Sequence, residues 1–233
     1  MLPKAVGVII PAHNEEVELP DCLDTVQLAC EYASYIYPSL EIRVIVVADA
    51  CTDTTVQQVF ERNTVLHTVE LISVDFCNVG RARGVGAQKL IANFNDEDLS
   101  QVWIAITDAD TQVPVQWLYT QLQHAKAGVD CLVGTVEPRP DSATQELLCK
   151  WHARHVLTED HPHIFGANLG IRASWYEKVG GFLPLPTGED INLVDKIRRS
   201  GAWVVSTDTT RVATSARFSD RVTQGFSSYC HSL

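Results

Sequence analysis

Residues 102–110 read VWIAITDAD, an apolar run with β-branched residues that ends in two aspartates. The run is typical of a buried strand in a parallel sheet. Open α/β sheets bind their ligands at the carboxyl ends of such strands, so Asp108 and Asp110 are candidate binding residues. Neighbouring carboxylates repel unless a cation or a ligand hydroxyl stabilises them, and their hard oxygens suit Mg²⁺ or Mn²⁺ carrying a phosphate. The alternative is a strand followed by an aspartate-rich turn.

Length and composition indicate one globular domain. The chain has 233 residues, of which 45% are hydrophobic and 20% charged, enough for one well-buried core with room for a small subdomain. The net charge of −11 argues against nucleic-acid binding through a basic face. It also argues against attachment to an anionic membrane. A nucleotide substrate stays compatible with this charge, because a metal ion neutralises phosphates locally.

Cysteine usage and the lack of long apolar stretches bear on location. The 7 cysteines are irregularly spaced and form no Cys-x-x-Cys pair, which favours a reduced intracellular protein over a disulfide framework or zinc ribbon. The first residues lack the charged and apolar regions of a signal peptide. No apolar stretch approaches the roughly 20 residues that span a bilayer. We therefore expect a cytoplasmic protein without a transmembrane segment or a nucleic-acid partner.

Strand-like and helix-like segments alternate, which predicts a mostly parallel sheet covered by helices on both faces. Apolar runs predict strands at 5–10, 42–48, 68–74, 102–107 and 131–136. Helical spacing predicts helices at 16–37, 54–62, 80–94, 114–127 and 142–157. An irregular, mobile loop is expected at 158–165. Shorter elements follow, with strands at 167–171, 203–206 and 211–214 and helices at 174–179 and 190–199.

Acidic residues follow the first, second and fourth predicted strands. Because the carboxyl ends of neighbouring parallel strands share one edge, we expect these side chains to converge on one cleft: Glu15, Asp49, Asp108 and Asp110. Asp49 is expected to contact a ligand. Asp53 directly precedes a predicted helix, which favours a role as an N-cap or first-turn carboxylate.

Residues 80–86 read GRARGVG at the start of a predicted helix near the same edge. The stretch lacks the Gly-x-Gly-x-x-Gly order of a dinucleotide fingerprint and the Gly-Lys-Ser/Thr of a P-loop. One hypothesis is that an arginine here holds a phosphate or a uracil-like base. The other is a solvated helix start whose glycines allow close packing.

These motifs, taken in order, resemble those of family 2 glycosyltransferases with the GT-A fold. Residues 11–15, PAHNE, are similar to the family's Pro-x-x-Asn-Glu, and residues 46–53, VVADACTD, resemble its Asp-Asp-Gly-Ser-Thr-Asp motif. Asp108-Ala109-Asp110 is similar to the metal-binding Asp-x-Asp, and residues 188–193, GEDINL, resemble the Glu-Asp pair at a helix start. The resemblance covers residues 5–225. It implies a Rossmann-like α/β/α sandwich with a mostly parallel central sheet.

The resemblance also implies an activity and a role for each matching residue. The activity is transfer of a sugar from a UDP- or GDP-sugar to a hydroxyl of a small-molecule, lipid or glycan acceptor, with Mg²⁺ or Mn²⁺ and with inversion. Asp110 would bind the metal, Asp108 the ribose or the metal's water shell, and Asp190 would be the general base, with Glu189 beside it. The remaining donor contacts would be Pro11, Ala12, Asn14, Glu15, Asp49, Arg83, Ala109, Gly166, Asn168, Arg217 and Arg221.

Several positions depart from the family pattern. Ala48 replaces the first Asp of the second motif, Ala50 and Cys51 replace its Gly-Ser, and Gly84 stands where Asn often follows the arginine. These changes leave the nucleotide open. The Gln-x-x-Arg-Trp motif of processive members does not occur, so polymer synthesis is not expected.

Each implied role has a structural alternative. The Glu189-Asp190 pair would also suit a helix N-terminus. The glycine-flanked segment 166–170 would suit a tight bend, and Arg217 with Arg221 would suit a solvated helical face. Four histidines between 152 and 163 suggest either a zinc site or a pH-sensitive or acceptor-contacting loop.

The halves of the single domain are expected to divide the work, with nucleotide binding in 1–137 and acceptor binding in 138–233. A nucleotidyltransferase is one alternative, but it would need a glycine-rich signature with Lys or Arg directly after the first strand. A degenerate GT-A domain that binds a glycan or a partner is the other. The retained Asp108, Asp110 and Asp190 argue against it.

Overall fold

A computed structural model describes residues 1–62 and 69–217. In these residues the strands of one 8-stranded sheet alternate with helices along the chain. The strands are β1 (Ala5–Ala12), β2 (Glu41–Asp49), β3 (Val69–Val74), β4 (Val102–Ile106), β5 (Thr111–Gln112), β6 (Cys131–Pro138), β7 (Leu169–Arg172) and β8 (Val204–Thr214). The helices are α1 (Leu19–Ile36), α2 (Thr55–Glu61), α3 (Val79–Ile91), α4 (Trp117–Ala127), α5 (Gln145–Arg154), α6 (Ala173–Lys178) and α7 (Glu189–Arg199), with a 3₁₀ helix at Asp96–Gln101.

The sheet has the strand order β3-β2-β1-β4-β7-β6-β8-β5. The pairings β1–β2, β1–β4, β2–β3 and β6–β8 are parallel. The remaining described pairings, all of which involve β7 or β5, are antiparallel. The predicted mostly parallel sheet is confirmed, and its parallel part is the run β3-β2-β1-β4.

Helices cover both faces of this sheet. Alternate residues of β1 point to opposite faces, so that Val6, Val8 and Ile10 pack in one apolar layer and Ala5 and Ile9 in the other. The first layer is shared with α1 and α4, and the second with α3, α6 and α7. Burial on both faces explains why the strands are continuous apolar runs. None of the described helices combines the length and hydrophobicity needed to cross a bilayer.

Strand register sets which loops become neighbours. In the parallel ladder Ala12 lies opposite Ala48, and Ile9 lies opposite Ile106. The loops that follow β1, β2 and β4 therefore leave the sheet side by side at one edge. Because these three strands run in the same direction, acidic segments that are distant in the chain come together.

Some element bounds differ from the predicted ones because of local side-chain bonds. Helix α1 begins at Leu19 rather than at 16, and Glu16 instead accepts hydrogen bonds from Thr54 N at 2.9 Å and Thr54 Oγ1 at 2.7 Å. Helix α5 begins after Thr144, whose Oγ1 caps Leu147 N at 3.2 Å. The two predicted pieces at 203–206 and 211–214 form one strand, β8.

The predicted irregular loop at 158–165 has neither helix nor strand, and its rings contact Trp151 of α5 and His155, which follows α5. The ring centroids of Trp151 and His155 are 3.8 Å apart, those of His155 and His163 are 4.9 Å apart, and those of His163 and Phe165 are 5.9 Å apart. His161 stacks on His163 at 6.0 Å. Among residues 1–62 and 69–217, no three His, Cys, Asp or Glu side chains are grouped so that they could hold a metal ion alone. His155, His161 and His163 pack against neighbouring rings, whereas His152 is half exposed and lies 3.6 Å from Glu137.

We predict that acid destabilises the fold through His155 and His163. Burial lowers the pKa of both imidazoles, and neighbouring charged side chains, including other histidines, lower it further. The pKa of these histidines is about 6.5 in the unfolded chain and lower in the folded one. At pH values between the two, the unfolded chain binds more protons, so the stability that is present above about pH 6.5 is lost as the pH falls. The melting temperature should fall less between about pH 7.5 and pH 5.5 in His163→Phe than in the wild type. Equal falls would contradict the prediction.

Candidate active site

Carboxylates from two loops form a negative cluster at the edge where β1, β2 and β4 end. Burial raises the pKa of Asp110 to about 7, and the negative charges of Asp108 and Glu15 contribute to this rise. Burial also raises the pKa of the Cys22 thiol well above its usual value, with further contributions from Asp110 and Asp108. Glu15, Asp108 and Asp110 thus share one neighbourhood, as the sequence predicts. Their hard oxygens and unfavourable mutual repulsion fit a divalent cation.

Asp110 is held in place by the neighbouring strand β8. Thr214 Oγ1 donates a hydrogen bond to Asp110 Oδ1 at 3.1 Å, and Ser215 N donates to the Asp110 carbonyl at 3.0 Å. Asp110 as a residue remains partly exposed. A carboxylate that is oriented by a hydroxyl and open on one side is suited to bind a cation.

Arg83 lies between two carboxylates and does not offer its guanidinium to a ligand. Its side chain is only 4% exposed, and it donates hydrogen bonds to Asp108 Oδ1 at 2.5 Å and to Glu189 Oε1. Burial lowers the pKa of Arg83, but Asp108, Glu189 and Asp190 together outweigh this effect and raise it above the usual value. The hypothesis that Arg83 binds a phosphate or a base is wrong for this arrangement, because both terminal nitrogens are bonded within the chain.

Gly166 makes room for this guanidinium. A Cβ at position 166 would lie 2.5 Å from Arg83 Nη2. Gly166 therefore packs against Arg83, and the donor contact expected at Gly166 stays a prediction.

Glu189 and Asp190 begin α7 and differ in exposure. Glu189 is 5% exposed; burial raises its pKa, while the bound Arg83 lowers it. Asp190 is partly exposed, and its Oδ1 accepts a hydrogen bond from Ile191 N at 2.8 Å. Only Asp190 of this predicted pair can reach a substrate. Glu189 is enclosed, so its predicted catalytic role is corrected to a bond with Arg83.

Asp49 turns away from the cluster, contrary to the predicted ligand contact. Its Oδ1 accepts hydrogen bonds from Phe76 N at 2.6 Å and Cys77 N at 2.9 Å, and its Oδ2 accepts one from Asn78 N at 2.8 Å. The side chain is buried at 4% exposure. Asp49 therefore shapes the loop before α3, because backbone N–H groups satisfy its carboxylate.

The β1 and β2 loops are bonded to each other. Asn14 Oδ1 accepts a hydrogen bond from Thr52 N at 2.7 Å, so the predicted donor contact at Asn14 instead joins the loops. Asp53 accepts hydrogen bonds from Thr55 N at 3.0 Å and from Glu16 N at 3.1 Å, which gives it the predicted role at a helix start. Asn14 and Ala50 have φ values of 54° and 51°. These left-handed conformations are costly for residues other than glycine and often occur at functional sites.

Pro11, Ala12 and Ala109, which were predicted donor contacts, are buried. Ala12 and Ala109 are each 3% exposed and belong to the apolar layer under α1. Their side chains pack in the core, so only the backbone at these positions is available for a ligand.

Asn168 is also a structural residue and does not line the cleft. Its Oδ1 accepts a hydrogen bond from Trp117 Nε1 at 2.9 Å, and its Nδ2 donates to the carbonyls of Thr135 at 2.8 Å and Thr210 at 2.7 Å. The amide fits against Gly134, where a Cβ would lie 2.1 Å from Nδ2. The predicted donor contact at Asn168 is wrong because all these bonds join β6, β8 and α4.

The segment after β8 reaches the acidic cluster. Arg217 forms ion pairs with Glu15 and, at 3.7 Å, with Glu18. The sequence analysis missed Arg139, which is 7% exposed and binds Glu18 Oε2 at 2.6 Å. Arg139 directly follows β6, so a search for cations as well as carboxylates at strand ends would have found it. Arg221 lies outside the described residues.

The sheet order and the acidic edge define a GT-A fold of the kind found in glycosyltransferases. The sequence model of glycosyl transferase family 2 matches residues 7–180, and the chain belongs to that family.

Individual relatives agree with this assignment. The chain is 27% identical over 219 residues to "Probable glycosyltransferase YdaM" of Bacillus subtilis (strain 168), covering 86% of this chain and 48% of that protein. The chain thus spans about half the length of this curated relative.

Solved structures share the fold at low sequence identity. S. aureus TarS superposes with a TM-score of 0.65 at 18% identity, covering 91% of this chain and 37% of that one. The mannosyltransferase PcManGT from Pyrobaculum calidifontis, in complex with GDP-Man and Mn²⁺, has a TM-score of 0.63 at 20% identity, covering 93% of this chain and 58% of that one. These likenesses establish the fold.

We predict that Asn168→Ala lowers the free energy of unfolding by about 2–4 kcal/mol, because it leaves Trp117 Nε1 and two buried carbonyls without their partner. Urea unfolding measures the loss. Asn95→Ala is the control, because Asn95 is exposed and its side chain makes no capping bond; it should change stability by less than about 0.5 kcal/mol. If the Asn168→Ala protein is as stable as wild type but binds the donor more weakly, Asn168 contacts the donor, as the sequence analysis expects.

Proposed function

We propose that the chain transfers a sugar from a nucleoside diphosphate sugar to an acceptor hydroxyl with the help of Mg²⁺ or Mn²⁺. The observation that carries the proposal is the pair Asp108 and Asp110 at the end of β4, where burial and neighbouring negative charge raise the pKa of Asp110 to about 7. Membership of glycosyl transferase family 2 supports it. A UDP- or GDP-sugar is the proposed donor, and a small molecule, lipid or glycan supplies the hydroxyl.

Asp110 is the residue proposed to hold the cation. Because the described residues provide no three-ligand group, phosphate oxygens and water would complete the coordination, as is usual for Mg²⁺. The bound ion would neutralise the charge that develops on the leaving nucleoside diphosphate. Asp108 is proposed to contact the donor through the carboxylate oxygen that Arg83 leaves open.

Asp190 is the proposed general base. Its partly exposed carboxylate would accept the proton of the acceptor hydroxyl while that oxygen forms a bond to the anomeric carbon. The bond from the anomeric carbon to the phosphate oxygen breaks in the same step, and the electron pair leaves with the nucleoside diphosphate. Attack from the face opposite the leaving group inverts the anomeric centre.

The two halves of the domain are proposed to divide these roles as the sequence suggests. Residues 1–137 contain Asp108 and Asp110, which are proposed to face the donor and its metal, and Glu15, which is buried and pairs with Arg217. Residues 138–233 contain Asp190 and the cation Arg217. Arg217 is already 30% exposed beside Glu15, from where it could bind the diphosphate, and Arg221 is proposed to assist it.

We predict that Asp110→Asn lowers the rate of donor turnover at least about 100-fold, because the amide is a poor ligand for the metal. Release of UDP or GDP from a panel of their sugars, with and without Mn²⁺, measures the rate. Asp96→Asn, an exposed acid in the 3₁₀ helix, is the control and should behave as wild type. Turnover that is metal-independent and unaffected by Asp110→Asn would refute the metal site. Stabilisation by a glycan without turnover would favour the alternative, a degenerate GT-A domain that binds a glycan.

We predict that Asp190→Asn lowers kcat by about 10²–10⁴-fold with little change in donor KM, since the base acts in the transition state. Asp195→Asn lies on the same helix with its side chain 44% exposed and serves as the control. An Asp190→Asn enzyme with wild-type kcat would remove Asp190 from the reaction.

A further inference from the structure

Three elements of the site meet at the guanidinium of Arg83. Arg83 extends from α3, one terminal nitrogen binds Asp108 in the loop after β4, and the other binds Glu189 at the start of α7. Asp108 belongs to the proposed donor site, and Glu189 directly precedes the proposed base Asp190. One side chain therefore connects the donor side of the cleft to the helix that carries the base.

Close packing around the guanidinium keeps it in this position. A Cβ at Gly166 would lie within 2.6 Å of three guanidinium atoms, so the backbone there is in direct contact with the group. The ring of Phe182 lies 5.9 Å from the guanidinium carbon on another side. Arg83 Nε is buried and has no hydrogen-bond partner among the described residues. Arg83 can act on a substrate only through the carboxylates that it binds.

Charge makes the link strong. Asp108, Glu189 and Asp190 surround a single cation, and removal of that cation would leave Glu189 buried at 7% side-chain exposure without a counter-charge. A planar guanidinium presents its terminal nitrogens to two separate carboxylates in a fixed geometry, whereas the lysine ammonium is a compact point charge at the end of a flexible stem. Arginine therefore suits this bridge by geometry as well as by charge.

We infer that Arg83 is a positioning residue that sets the distance between Asp108 and the base Asp190 by holding Glu189 and the first turn of α7. The inference rests on the proposed function and extends it by assigning the Arg83–Glu189 pair to alignment of the donor with the base. Neither residue transfers a proton or binds the nucleotide.

The first test measures the first turn of α7 without any catalytic turnover. Hydrogen exchange of backbone amides in residues 188–193 should accelerate in Arg83→Lys, while exchange in α4 should not change. Arg211→Lys is the matched control, because Arg211 also lies between two carboxylates, Asp208 and Glu137, at a distance from α7. Unchanged exchange at 188–193 in a folded Arg83→Lys protein would overturn the inference. This holds even if the wild type proves inactive, an outcome that counts against the proposed function alone.

The second test separates positioning from nucleotide binding. Arg83→Lys should lower kcat by about 10- to 100-fold, because misplacement by about 1 Å is enough for such a loss. Calorimetric affinity for UDP or GDP should stay within about 3-fold of wild type. A strong loss of nucleotide affinity with unchanged kcat would instead make Arg83 a nucleotide ligand.

The third test asks whether Arg83 acts through Asp190. In the Asp190→Asn background, Arg83→Lys should cause little further loss of kcat, because residues that act as a unit are not additive. Glu189→Gln removes the negative charge that Arg83 pairs with and should lower kcat in the same range as Arg83→Lys, about 10- to 100-fold. Additive losses of Arg83→Lys and Asp190→Asn, or a Glu189→Gln enzyme with wild-type kcat, would overturn the assignment.

Discussion

Negative charge held at the edge of a parallel sheet is the constraint on which the rest of the site depends. Asp108, Asp110 and Glu15 raise each other's energy by repulsion, and burial adds to this cost. The fold tolerates the cluster because Arg83 and Arg217 approach it from different elements. The arginines offset only part of the negative charge, so a region remains where a cation would be stabilised.

The sheet determines where this charge can collect. Strands β1, β2 and β4 run parallel as neighbours, so the loops that follow them begin at one edge although they are far apart in the chain. Antiparallel β7 then brings residues 166–168 beside the same edge, and α7 returns Glu189 to Arg83. The cleft is thus built from segments whose proximity follows from strand direction and register.

The sequence predicts the strands and the acidic edge well, because strands buried on both faces must be continuous apolar runs and their ends are easy to locate. It does not reveal what each polar side chain binds. Asp49 resembles Asp108 as a carboxylate after a strand, yet backbone amides at 76–78 satisfy it. Asn168 finds its partners on β6, β8 and α4. These choices depend on contacts between distant segments, which one sequence alone does not encode as a local pattern.

Burial divides the acidic residues into those that build the site and those that face it. Asp49 and Glu189 are each 5% exposed or less, and backbone amides or an arginine satisfy their oxygens. Asp110 and Asp190 stay partly exposed. The adjacent pair at the start of α7 shows why the division is natural. Successive residues of a helix point about 100° apart, so Glu189 can turn inward to Arg83 while Asp190 turns to the cleft. A Glu-Asp pair at a helix start thereby supplies an anchor and a reactive group from neighbouring positions.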